Sequence, residues 1–168
     1  MPLKVGDIAP EFELYDENFK PTSLKNLLAQ GKLVILAFFP AAFSSVCTNE
    51  MCAFRDRMAI LEKANATVVG ISVDSPFTLR KFKEDNRLNF PLLSDYNREV
   101  IRIYDVYHDP FPVPIASKLR MTAKRAVFIL EPPEGRVVYA WVSEDPLKEP
   151  DYEEIVRTAN EHAKRAGK

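Results

Sequence analysis

The chain has 168 residues, 46% of them hydrophobic and 28% charged, with a formal net charge of −1. That length suits one domain, taken as 1–168, with room for a sizeable core. The near-neutral balance offers no electrostatic footprint for nucleic acid or a membrane surface, no run is long enough to span a bilayer, and the start Met1-Pro2-Leu3-Lys4 carries no apolar leader core.

The expected elements run as follows. Phe12–Tyr15, with Phe19 after it, reads as a short N-terminal hairpin. Thr22-Ser23 caps a short helix over Leu24–Leu28, ended by Gly31. Leu33–Phe39 is a continuous apolar run, as in a strand covered on both faces. Cys47 to Lys63 places Met51, Phe54, Met58 and Leu61 at helical spacing. Thr67–Val73 is a second buried strand. Asp74-Ser75-Pro76 then opens a helix to about Asn86, with Phe77 and Phe82 expected inward. Phe90–Leu93 reads as a strand, Arg98–Tyr104 as a helix, and the proline-bearing Asp105–Ala123 as a long loop. Ala126–Leu130 and Arg136–Val142 form a hairpin through Glu131–Gly135, and Tyr152–Ala166 is an amphipathic helix. This order implies an α/β, thioredoxin-like layered fold: a central mixed sheet, helices on both faces, and an N-terminal β extension.

Chemistry concentrates after the first long strand. Pro40 stops the apolar run, Ser44-Ser45 precede a helix, and Cys47 falls in its first turn. A thiol there meets unpaired N–H groups and the positive end of a helix dipole, which favour the nucleophilic thiolate. Sites in open α/β sheets lie beyond the carboxyl ends of strands, where this cysteine sits. The only other cysteine is Cys52. On an ideal helix the two side chains point about 140° apart with about 7.5 Å of rise, too far for a disulfide unless the turn unwinds. The spacing alone leaves two readings open, a redox pair with two states or two small buried side chains. Two cysteines are too few for a secreted disulfide scaffold, so a cytoplasmic home is expected, where a close pair is more often redox-active than structural. Taken singly, Pro40 ends a strand, Ser44 is an N-cap, and Glu50 is an acidic residue suited to the helix start. Arg120, Lys124 and Arg125 are three candidate cations, of which only Arg125 abuts an apolar strand. His108 and His162 lack neighbouring ligands and read as surface residues, and no phosphate-cradling glycine loop is present.

Pro40-x-x-x-Ser44-x-x-Cys47 resembles the active-site motif of the peroxiredoxins: proline, three residues, Thr or Ser, two residues, cysteine. Val5-Gly6-Asp7-x-Ala9-Pro10-x-Phe12, Gly70-Ile71-Ser72-Val73-Asp74-Ser75 and Phe90-Pro91-Leu92-Leu93-Ser94-Asp95 resemble other segments of that family. The C-x4-C spacing is similar to its Q-type, bacterioferritin-comigratory branch. One departure is Ser44, where threonine is commoner; the hydroxyl is kept and the methyl lost. The resemblance implies a peroxidase for hydrogen peroxide and small organic hydroperoxides, with no metal or organic cofactor. It implies that Cys47 is the peroxidatic nucleophile and Cys52 the resolving thiol. Arg125 would stabilise the thiolate and Glu50 would orient Arg125. Ser44 would hold the peroxide and Pro40 would shield the sulfur. The implied partners are a hydroperoxide substrate and a thioredoxin- or glutaredoxin-like reductant, with the chain as monomer or homodimer. Two rival readings remain in view: a thioredoxin-like disulfide exchanger, weakened by C-x4-C in place of C-x-x-C, and a peroxide sensor or holdase that signals through Cys47 oxidation.

Overall fold

The computed structural model describes residues 1–166, so the end of the expected 1–168 domain lies outside the described residues. An N-terminal hairpin joins β1 (Glu13–Asp16) to β2 (Pro21–Ser23). Its turn is held by the Asp16 carboxylate, which accepts from the amides of Asn18 and Lys20. The Ser23 hydroxyl then accepts from the Asn26 amide and starts α1 (Leu24–Leu28). The helix closes at Ala29, and Gly31, at φ +76°, turns the chain into β3 (Leu33–Phe38). There follow α2 (Ser45–Lys63), β4 (Ala66–Ser72), α3 (Pro76–Asn86), β5 (Leu92–Ser94) and α4 (Glu99–Ile103). The remainder comprises β6 (Tyr107–His108), β7 (Thr122–Ala123), β8 (Arg125–Glu131), β9 (Arg136–Ser143) and α5 (Tyr152–Ala166).

Seven strands form one mixed sheet in the order β2-β1-β5-β4-β3-β8-β9. Strands β3, β4 and β5 run parallel, and β8 pairs antiparallel with both β3 and β9. Every residue of β3 is buried, because helices cover both faces. Alternation sorts its side chains. Leu33, Ile35, Ala37 and the following Phe39 pack with Met51 and Phe54 of α2, Phe82 of α3 and Ile155 of α5. Val34, Leu36 and Phe38 pack on the other face with Leu24 and Leu28 of α1 and Ile101 of α4. The expected layered α/β architecture and its β extension are therefore present.

Four local expectations are corrected. Phe77 is 70% exposed and rests on Phe19 at 5.0 Å, while Phe82 alone turns inward. Five helical positions rotate a side chain by about 140°, so the two cannot face the sheet together. The strand expected over Phe90–Leu93 begins at Leu92 instead, after Pro91, whose ring offers no N–H to a ladder. Residues 105–123 are not wholly loop. Their ends pair as the β6–β7 ribbon, with His108 opposite Thr122, and Pro114–Ala116 form a 3-10 turn. His108 is consequently buried, and His162 is half-buried with Nδ1 3.2 Å from a Glu131 carboxylate oxygen.

The layer joining α2 to the sheet depends on Gly70 of β4. A β-carbon there would stand 2.7 Å from a Leu92 methyl and 3.3 Å from both Met51 Sδ and the Phe39 ring. All three neighbours are fully buried and have no room to retreat. Gly70→Ala should therefore lower unfolding stability by about 1–3 kcal/mol through overpacking. The measurement is the urea midpoint at constant slope, and an unchanged midpoint would show that the layer has slack.

Candidate active site

The segment between β3 and α2 is positioned before any side chain acts. Ser72 donates its hydroxyl to Asp74, and the same Asp74 oxygen accepts from the Ala42 amide at 2.8 Å. The end of β4 thus tethers the Pro40–Ser44 loop. Phe43 takes a left-handed conformation, φ +70°, and stacks edge-on against Phe82 at 5.2 Å. Ser44 stands at the helix N-cap, but its hydroxyl donates back to the Ala41 carbonyl at 2.9 Å and makes no capping bond. The first-turn amides of Ser45, Val46 and Cys47 are left without intrahelical acceptors by helix geometry. Cys47 is the third helical residue and fully buried.

Arg125, the first residue of β8, approaches Cys47 from the sheet. Its backbone register is set by Ala126 opposite Phe38 and by Ser143 opposite Arg125 itself. The guanidinium is 1% exposed and makes four hydrogen bonds. Nη1 donates to a Glu50 carboxylate oxygen at 2.9 Å, and Nη2 lies 3.3 Å from Cys47 Sγ. Nη2 and Nε both donate to the Pro146 carbonyl, at 2.6 and 3.2 Å. Glu50 reaches this cation because it lies three residues after Cys47, on the same helix face. The other two candidate cations are elsewhere: Arg120 pairs with Asp109, and Lys124 with Glu144 at 2.7 Å.

A cavity of about 290 Å³ opens at this point. Pro40, Ser44 and Arg125 contribute to its lining, and Phe111, Leu119 and Leu147 supply apolar wall. Pro40 is buried, while Ser44 is exposed. Cys52 sits apart. It is half-buried, its thiol faces the Asn86 side-chain oxygen at 3.8 Å, and both cysteines are free. The helix is unbroken across 47–52, so the two sulfurs are not placed to bond. Sequence reasoning missed the Pro146 carbonyl, the Asp74 tether and the apolar wall from 111–119. The clustered prolines at 110, 112 and 114 could have flagged the wall; a backbone carbonyl leaves no sequence signal.

Residues 5–140 match the model of the AhpC/TSA family. Peroxiredoxin Bcp of Escherichia coli (strain K12) is 42% identical over 106 residues, 63% of this chain and 67% of that protein. The crystal structure of peroxidoxin BcpB from Mycobacterium tuberculosis superposes with a TM-score of 0.82 at 31% identity, covering 95% of this chain and 97% of that one. The bacterioferritin comigratory protein of Xanthomonas campestris, studied for alkyl peroxide reduction, superposes with a TM-score of 0.77 at 25% identity, over 90% and 92% of the two chains.

Glu50 offers a titration that probes this geometry. Burial pushes its carboxyl up to about 7, against the pull of Arg125 and with added repulsion from Glu149. In the unfolded chain it returns to about 4.3. Between those values the folded state holds a proton that the unfolded state does not. Glu50's contribution to stability is therefore complete below the unfolded value and lost as pH rises towards about 7. Glu50→Gln cannot titrate. The difference in unfolding free energy between wild type and this variant should change across that window and level off above it. A difference that stays constant through the window would mean that Glu50 is ionised throughout.

Proposed function

The chain belongs to the AhpC/TSA family as a thiol-dependent peroxidase of the peroxiredoxin Q (Bcp) type, and on that premise we propose that Cys47 is its peroxidatic residue and Cys52 its resolving residue. The observation that carries this reading is the 3.3 Å contact from Nη2 of Arg125, which lines the cavity, to a buried Cys47 Sγ in the first turn of α2. A fixed guanidinium and the first-turn amides pair with a sulfur anion and with the charge that develops on the peroxide oxygens.

The steps follow from this placement. The Cys47 thiolate attacks one peroxide oxygen; the S–O bond forms as the O–O bond breaks, and Cys47 becomes a sulfenic acid. The departing alkoxide or hydroxide takes a proton and leaves as alcohol or water. Ser44 commits its own proton to Ala41, so its free lone pairs suit acceptance of the peroxide O–H. Pro40 closes the cavity beside the sulfur, and Glu50 fixes the plane of Arg125. The first helical turn then unwinds. The Cys52 sulfur attacks Cys47 Sγ, water leaves, and a disulfide forms. A dithiol protein of the thioredoxin or glutaredoxin type restores both thiols.

The finer parts of the proposal are these. The chain acts as one domain over 1–168, on hydrogen peroxide and small organic hydroperoxides, as monomer or homodimer. Two free thiols suit the reducing cytoplasm, and among the described residues no helix is long and apolar enough to cross a membrane. Disulfide exchange fits less well, because a fully buried Cys47 is closed to a protein disulfide.

Cys47→Ser should abolish peroxide consumption with the fold intact. Cys52→Ser should reduce one equivalent and then stop when thioredoxin is the reductant. Mass spectrometry of the wild type after one equivalent of peroxide should show an intramolecular Cys47–Cys52 disulfide; a disulfide between chains would move resolution to a second subunit. Arg125→Lys retains charge but not the planar fork that meets Glu50, Cys47 and Pro146 together. Its rate of sulfenic acid formation should fall on the order of 10²–10³-fold, and a rate within a few fold of wild type would remove Arg125 from that role.

A further inference from the structure

A second cavity, of about 550 Å³, lies where the N-terminal hairpin meets the starts of α3 and α4. It shares no lining residue with the cavity beside Arg125. Four aromatic side chains reach it from four segments: Tyr15 of β1, Phe19 of the hairpin turn, Phe77 of the first turn of α3, and Tyr96 of the β5–α4 connection. The rings of Tyr15 and Phe19 stand 5.8 Å apart and those of Phe19 and Phe77 5.0 Å, so three of the four form a continuous row. All four side chains are exposed, and a contiguous apolar surface marks a place where something binds. Phe19 also holds a left-handed backbone, φ +61°, which a bulky residue adopts only under strain. The Asp16 carbonyl secures that turn by accepting from the Phe19 amide at 3.1 Å. The hairpin thus holds a strained residue where its ring meets those of Tyr15 and Phe77.

The charge of this cavity has one sign. Glu13 and Glu99 line it, both are exposed, and among the described residues neither forms an ion pair. Asp95 lines it too, but its oxygens are committed to the amides of Glu99, Val100 and Ile101. Among the described residues no lysine or arginine belongs to the lining. Arg98, which follows the rim in sequence, is turned to the carbonyls of Met121 and Tyr96. Aromatic faces carry the negative part of a ring quadrupole, and free carboxylates add to it, so the cavity favours a positive charge set in apolar surface. We infer that it is a binding site for small organic cations: an ammonium or guanidinium group on an aromatic or aliphatic body. The row of rings takes the body and the face of the cation, and Glu13 and Glu99 balance its charge. The volume is that of a site for one small molecule.

The test titrates the intact protein with benzyltrimethylammonium and with 2-methyl-1-phenylpropan-2-ol, in which an uncharged dimethylcarbinol group replaces the trimethylammonium. Binding is followed through the backbone amide signals in NMR spectra, and the shifts should centre on Phe19, Phe77 and Tyr96. At low salt the cation should bind about tenfold more tightly than the alcohol, the size of one partly desolvated cation–π contact. High salt should reduce that preference by screening the carboxylates. The double variant Glu13→Gln, Glu99→Gln should reduce it as well, and Phe77→Ala should weaken both compounds. These three side chains are exposed, so the substitutions leave the core untouched. Equal affinity for the two compounds, shifts centred elsewhere, or a preference unchanged in the double variant overturns the inference. So does binding of neither compound: if the chain then sediments as a dimer, a second copy covers the cavity, and if a lysine-bearing peptide binds instead, the cavity belongs to a protein partner. No arm reads peroxide consumption, so this inference and the peroxidase reading stand or fall separately.

Discussion

The guanidinium of Arg125 is the point at which this structure is tied together. A buried cation is tolerated when partners meet its donors, and here partners come from three directions: a carboxylate on α2, the carbonyl of Pro146, and the sulfur of Cys47. Its own backbone lies in β8, inside the seven-stranded sheet. The pair with Glu50 is a poor source of stability, since desolvating both ions offsets most of their attraction. The raised carboxyl of Glu50 carries that cost openly. The pair instead secures orientation. With Glu50 and Pro146 holding the plane of the guanidinium, Nη2 is aimed at one sulfur.

A second constraint follows from the helix that carries both thiols. As long as α2 is continuous from Ser45, Cys47 and Cys52 face different directions and cannot join. In the proposed cycle the resting arrangement thus suits attack on peroxide and forbids a Cys47–Cys52 disulfide. The local structure makes the change between them modest. Phe43, Ser44 and Ser45 are exposed, so little apolar surface besides Cys47 itself must be uncovered when the first turn opens. On the other side, Cys52 is held only by a long contact to Asn86, so little opposes its approach. The Asp74 tether on Ala42 marks where the moving segment is anchored.

The cavity draws its lining from two sources. The sheet and helices supply Pro40, Ser44 and Arg125. The excursion between β6 and β7 supplies Phe111, Val113 and Leu119. Loops of this kind change without disturbing the core, which is why binding preferences are written there. The ribbon that closes the excursion buries His108 and Thr122 at its base.

By itself the sequence determined most of the elements and the place of the proposed nucleophile. The buried run of β3, the spacing of Met51, Phe54, Met58 and Leu61, the cap at Ser75-Pro76 and the hairpin through Gly135 all follow from neighbours a few residues apart. Helix periodicity and capping are local physics, and Cys47 in the first turn of α2 follows from them too. Among Arg120, Lys124 and Arg125 the sequence and the family resemblance pointed to Arg125, and the tertiary structure supplies its contact with Cys47. Left to the tertiary structure was the shared grip of Arg125 on Glu50. So were the outward turn of Phe77, the burial of His108 and Thr122, and the role of the Pro146 carbonyl. The contacts from Arg125 to Glu50 and Cys47 span 75 and 78 residues, and sheet register alone closes such distances. A one-residue slip of β8 would turn Arg125 to the opposite face, because side chains alternate along a strand. Local propensity is blind to that register, since it is set by the packing of β8 between β3 and β9.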